Sequence, residues 1–169
     1  MAVDLVRNFL GFRLGSVEYA VHVSLVKGVL RPSAVSEVPR MPHGVVGVVY
    51  LRGEVVPVVD LRLLLGLQPA DGAAPPKWIH VSGAAKTGAA GTANSVEGEA
   101  RSTGAFVLMV DSVSGVFGAA IADERPPPAM LMASDVPKIL FVTKREDALV
   151  FTLDVSAISA HLPEMSSSP

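Results

Sequence analysis

The chain repeats itself, and that constrains its fold more than any other feature. Residues 19–29 lie over residues 106–116 without a gap, with identities at Val23/Val110, Val26/Val113, Gly28/Gly115 and Val29/Val116. A second match follows in the same order: residues 48–51, a turn and residues 55–60 lie over residues 139–142, a turn and residues 149–154. Two similar units in one order predict a two-lobed molecule with a pseudo-symmetric seam.

At 169 residues the chain suits one domain, or two small lobes sharing a core. Half of the residues are hydrophobic and only 18% are charged, enough for an aliphatic core and too apolar for global disorder. A net charge of -2 offers no electrostatic footprint for nucleic acid or an anionic membrane. The lack of cysteine excludes disulfides and thiolate metal sites. Charges interrupt every long apolar run, so no membrane span is expected, and a soluble, cytoplasmic, uncleaved protein is the simplest reading.

Valine runs bounded by glycine, proline or charge predict strands. Residues 8–14 and 19–23 read as one hairpin, and residues 48–51 and 54–59 as a second on an Arg52-Gly53 turn. Pro57 places the latter strand at an edge or a bulge. After Asp60, the spacing of Leu61, Leu64 and Leu65 before Gly66 predicts a short helical turn capped by Asp60, and Asp154 repeats the arrangement. Segments 31–39 and 124–128 are proline-containing, extended connectors at similar places in the two units. Residues 82–104, rich in glycine, alanine, serine and threonine, read as a flexible inserted loop, and residues 164–169 as a disordered tail.

Signatures of catalytic chemistry are few. His22, His43, His80 and His161 show no metal-ligand spacing; His22 and His80 sit in alternating strands and are expected to face solvent or a polar seam. There is no nucleophile elbow, phosphate loop or dinucleotide fingerprint. Asp111 to Ser114 carries nucleophile-type side chains, but its counterpart is Ser24 to Lys27, which points to a structural turn. Exposed aliphatic surface is the better candidate. A groove between lobes suits a docked helix, and Val23, Val26 and Ile79 either line such a groove or belong to the core.

The residues Phe12-Arg-Leu-Gly, Val26-Lys-Gly-Val, and above all Leu51-Arg-Gly-Glu-Val-Val-Pro-Val-Val-Asp-Leu-Arg, closely resemble the CheW family of coupling proteins in bacterial chemosensory arrays. The second half continues the likeness through residues 110–116, 125–128 and 149–154, so that it covers about residues 8–160. The resemblance implies an all-β fold of two five-stranded SH3-like barrels packed side by side. The lobes are expected from about residues 15–70 and 105–155, with exchange of terminal strands left open. It implies a non-enzymatic adaptor, without cofactor or metal, bridging the cytoplasmic tips of methyl-accepting chemoreceptors to the regulatory domain of a CheA-type histidine kinase. Such a protein is expected to be monomeric alone and a ring member in arrays.

By position, the resemblance puts Val23, Val26, Gly28 and Ile79 in a receptor groove. It makes Arg52 a partner contact, with Val113, Gly115, Val116 and Phe117 in a surface facing the kinase. Arg52 has a plain reading, a solvated hairpin tip, and a functional one, a guanidinium holding a partner's carboxylate through two bonds. Two positions depart from the family: Tyr50 stands where asparagine is common, and Gly28 where glutamate is common. They leave open a divergent member that binds receptor but not kinase. A small β-barrel enzyme or ligand-binding protein is the alternative from another class.

Overall fold

The computed structural model describes residues 5–70, 72, 74–83, 104–129 and 139–162, and the expected loop at 82–104 and tail at 164–169 lie almost wholly outside them. Ten strands dominate the described residues: β1 Val6–Leu14, β2 Val17–His22, β3 Val26–Leu30, β4 Val45–Leu51, β5 Glu54–Asp60, β6 Lys77–Val81, β7 Phe106–Val110, β8 Ser112–Ala120, β9 Ile139–Arg145 and β10 Ala148–Leu153. Two short helices, α1 Leu61–Leu64 and α2 Val155–His161, follow β5 and β10. The strands form two five-stranded sheets, ordered β8-β1-β2-β10-β9 and β3-β6-β7-β5-β4. The all-β expectation holds. Among the described residues no helix is long and apolar enough to cross a membrane.

Each sheet draws strands from both repeats. The first takes β1 and β2 from the N-terminal unit and β8, β9 and β10 from the C-terminal one; the second takes β3, β4 and β5 with β6 and β7. The chain therefore crosses between sheets twice, at Val23–Leu25 and at Asp111, the matched positions of the duplication. Register supports the match independently. In the parallel pairs, Val58 faces Val107 where Thr152 faces Ala20, so that 58 corresponds to 152 and 107 to 20, as in the sequence alignment.

The first strand of the second match needs a correction. Val56 pairs with Val49 and Val150 with Thr143, which sets Val48 against Val142, three residues beyond the expected Ile139. The two connectors agree. Ser36 exchanges backbone bonds of 2.9 Å with Val48, and Arg125 does so with Val142 at 2.9 and 2.8 Å. In each half the segment leaving one outer strand thus bridges the opposite outer strand, curling the sheet around its own interior.

Those bridges also explain Pro57, which lies in β5, an interior strand, contrary to expectation. Val48 turns its N–H and C=O outward to Ser36, so Val48/Pro57 is a pair without mutual hydrogen bonds. Parallel pairing with β7 begins only at Val58. The missing proline donor is never called upon.

Alternation along the strands fills three cores. Phe9, Ala20 and Val150 fill the interior of the first sheet, and Val49, Val56, Val58, Trp78 and Val107 that of the second. The alternate residues, among them Leu10, Phe12, Val21, Ile79, Phe106 and Leu108, pack between the sheets. Burying each such side chain contributes about 1.5–3 kcal/mol. Both aspartate caps are as expected: Asp60 accepts from Arg62 N–H at 2.9 Å, and Asp154 from Ala157 N–H at 3.1 Å. Gly66, at φ +70, ends α1 while Leu67 N–H returns to Arg62 C=O at 2.8 Å.

Candidate partner-docking surface

The two edge strands β3 and β8 follow the two crossings, and most of the anticipated site residues lie on or beside them. Val23 is half-buried in the 3-10 turn before β3, and Val26 is half-buried and packs against the core between the sheets. Gly28 pairs with His80. Ile79 requires a correction: it is fully buried between the sheets and offers no surface to a partner. Its cross-strand partner on the outer strand β3, Val29, is 47% exposed. Its repeat counterpart, Val116, is 60% exposed on β8. The duplication linked the two valines; their shared exposure needed the sheet assignment.

On β8, Val113 and Phe117 are half-buried and Gly115 takes φ +115. Phe117 packs against Phe9, with ring centroids 5.7 Å apart, and the Arg145 guanidinium lies 4.7 Å from the centre of its ring. Arg145 also donates to Glu18 Oε1 at 2.9 Å, and Ser114 Oγ donates to the same oxygen at 3.0 Å. Gly11 makes room for this cluster, because a Cβ there would stand 2.9 Å from Glu18 Oε1 and 2.7 Å from Ser114 Oγ. Phe117 is thus tied to the inside of its sheet, while Val116 is exposed.

Arg52 is exposed at the tip of the β4–β5 hairpin. Leu51 pairs with Glu54, and Arg52 and Gly53 take φ of +49 and +85, the signs a type I′ turn requires. A non-glycine residue there is strained by about 1–2 kcal/mol. Glu146, in the matching turn, has φ +55, so the strain belongs to the hairpin geometry rather than to arginine alone. Tyr50 and Val55 sit opposite one another just inside the turn, 70% and 50% exposed.

His80 departs from expectation. It is buried on the inner face of β6, and burial foremost, then Lys27 and Arg52, hold its pKa below the ordinary value, with Glu54 opposing. His22 remains half-exposed, caps the 3-10 turn by accepting from Ser24 N–H at 3.2 Å, and meets Phe9 edge-on. Asp111 is structural too, holding Arg62 and Gly15 at the second crossing.

Convergent reactive chemistry does not accompany these surfaces. Among the described residues no three His, Asp or Glu side chains stand where they could hold a metal ion. A cavity of about 100 Å³ opens near His22, Leu25 and Asp154, but His22 and Asp154 are engaged as caps. The outer strands carry exposed aliphatic side chains, and the β4–β5 hairpin an exposed guanidinium.

Residues 8–162 match the family model of the CheW-like domain. This chain belongs to the CheW-like family. Among relatives of the CheW-like chain is a probable chemotaxis protein CheW of Rhizobium etli, 30% identical over 149 residues, covering 85% of this chain and 83% of that protein. Another is the chemotaxis protein CheW of Rhizobium meliloti, 30% identical over 122 residues, with 72% and 67% covered. The crystal structure of the scaffolding protein TtCheW from Thermoanaerobacter tengcongensis is similar in fold, with a TM-score of 0.68, 19% identity, and 89% and 90% of the two chains covered.

Proposed function

We propose that this CheW-like chain is a non-enzymatic adaptor that couples methyl-accepting chemoreceptors to a CheA-type histidine kinase in a chemosensory array. Val23, Val26, Gly28 and the exposed Val29 form the receptor side, and Val113, Gly115 and Val116 the kinase side, with Arg52 as a polar anchor. The observation that carries the reading is the pair Val29 and Val116. Large aliphatic side chains stand exposed at equivalent positions on the outer strands of both sheets. Family membership supports the same reading, as do the roles of the relatives: chemotaxis for those from Rhizobium, and scaffolding for TtCheW.

Two partners meeting two equivalent outer edges is what a scaffold requires, and the repeat supplies those edges without a separate module. The adaptor acts in the cytoplasm, where the receptor tips recruit it to arrays, and is a monomer when isolated. The test is autophosphorylation of a CheA-type kinase mixed with receptor fragments, with and without this protein, alongside pull-down of each partner. Stimulation lost in Val116→Asp, with receptor binding retained, establishes the coupling role and its kinase face. Receptor binding without stimulation identifies the divergent member that binds receptor alone. Binding to neither partner overturns the reading.

A further inference from the structure

Two buried ring nitrogens on one face of β6 have no hydrogen-bond partner: His80 Nε2 and Trp78 Nε1. The residues are two apart, so both face the interior of the second sheet. His80 is only 6% exposed and Trp78 1%. An unmade bond at a buried polar group is destabilising by about 1–3 kcal/mol, so two on one face call for an explanation.

Across the β3–β6 ladder, Gly28 stands opposite His80 and Leu30 opposite Trp78. A Cβ on Gly28 would meet nothing within 4 Å. Space therefore opens on the same face as the imidazole, at the end of the sheet where the β4–β5 hairpin turns. Lys27 on β3, and Arg52 and Glu54 on that hairpin, are the charged groups that act on His80; β7 contributes the apolar Val107 beside it. Two fixed positive charges face one negative charge.

The duplication shows what such a place holds in the other half. Leu10/Ile79 and Phe12/Val81 are equivalent seam residues, so Gly11 corresponds to His80. Over Gly11 lies the Glu18 carboxylate, held by Ser114 and Arg145. In the second sheet Glu18 is replaced by Ala105 and Ser114 by Lys27. A donor remains and the carboxylate is gone.

We propose that the notch beside Gly28 receives a carboxylate side chain from a protein partner, held by His80 with Lys27 and Arg52 supplying the positive charge. The inference rests on the adaptor reading and adds the chemistry by which one of its partners is recognised. An arriving carboxylate favours the protonated imidazole, so binding takes up a proton and tightens as the pH falls toward 6.5, the ordinary histidine value.

The test is an NMR pH titration of the His80 ring, with calorimetry of binding. The probes are the cytoplasmic fragment of a chemoreceptor, the regulatory domain of a CheA-type kinase, and sodium acetate as a free carboxylate. The receptor fragment, whose side of the adaptor carries Gly28, is expected to raise the His80 pKa by about one unit or more, and acetate at the same concentration to leave it unmoved. Gly28→Glu, whose side chain enters open space, is expected to raise it in the free protein and to weaken that partner about tenfold. Binding of both partners with an unchanged His80 titration overturns this inference and leaves the adaptor reading intact. A shift produced by acetate alone overturns it in favour of a small-anion site. Binding of neither partner overturns both.

Discussion

Asp111 clasps Arg62 across the place where the chain passes from one sheet to the other. Arg62 Nε–H donates to Asp111 Oδ1 at 2.8 Å, its second nitrogen reaches Oδ2, and Gly15 N–H donates to Oδ2 at 2.7 Å. One carboxylate thus joins the β1–β2 turn, helix α1 and the start of β8. The Arg62 hydrogen bonds hold its pKa below the ordinary 3.8, outweighing partial burial, with Gly15 N–H acting in the same direction.

Loss of that clasp is expected to loosen the whole molecule rather than one edge. Asp111→Ala removes a charge-assisted pair and is expected to lower stability by about 1–3 kcal/mol, measured by urea unfolding at pH 7. Because the folded-state pKa is depressed, the contribution is present above the ordinary carboxylate value and fades as the pH falls through the folded one. Wild type and Asp111→Ala should therefore converge in stability below about pH 4. An equal gap at pH 3 and pH 7 would remove Asp111 from the acid response.

Gly47 tests the bridge that curls the second sheet. Its φ is +154, and a Cβ would stand 2.4 Å from the Ser36 carbonyl oxygen. Gly47→Ala must push Ser36 away from Val48 and is expected to lower stability by about 2–4 kcal/mol, whereas Gly28→Ala, with open space around it, should stay within about 0.5 kcal/mol of wild type. Thermal unfolding of the pair measures the difference. Equal midpoints would show that the Ser36 bridge contributes nothing to the fold.

These contacts show where the sequence was readable and where it was not. Asp60 and Asp154 were legible as caps because a cap is local: an acceptor, a helical leucine or alanine pattern, and a stop. The repeat was legible because matched valines and glycines survive at a fixed offset. Which copy of a strand pairs with which was not, since Val21 and Leu108 read alike whether they pack at home or across the seam. The burial of His80 is hidden from the sequence for a related reason. Alternation separates its face from that of Ile79, but both faces of a seam-forming sheet are buried, so alternation no longer separates inside from outside. The docking surface was half legible for the same cause: Ile79 and Val29 share one face of the β3–β6 pair, and the other sheet covers Ile79 while leaving Val29 on the outer strand open.

At Arg52, stability and function are expected to pull apart. Asparagine accepts left-handed backbone more readily, so Arg52→Asn should raise stability by up to about 1 kcal/mol while removing the guanidinium. Partner affinity is expected to fall about tenfold, read by calorimetry against the receptor fragment and the kinase domain. Unchanged affinity for both would leave Arg52 as a solvated hairpin tip.

The two exposed valines provide the sharpest separation of partners. Val29 and Val116 lie at matched positions on the outer strands β3 and β8, each opposite a buried seam residue (Ile79 and Leu10) but itself exposed, so an aspartate at either position remains in water in the free protein. Val29→Asp and Val116→Asp are each expected to stay within about 0.5 kcal/mol of wild-type stability. In a complex, the same carboxylate would be buried against apolar surface without a partner, which weakens association by about 2 kcal/mol or more, roughly thirtyfold. Val29→Asp should therefore lose the receptor fragment and keep the kinase domain, and Val116→Asp the reverse. Pull-down of each variant against each partner distinguishes one adaptor with two faces from a protein that uses a single edge. If both substitutions abolish the same interaction, the two edges form one surface, and the assignment of one sheet to each partner fails.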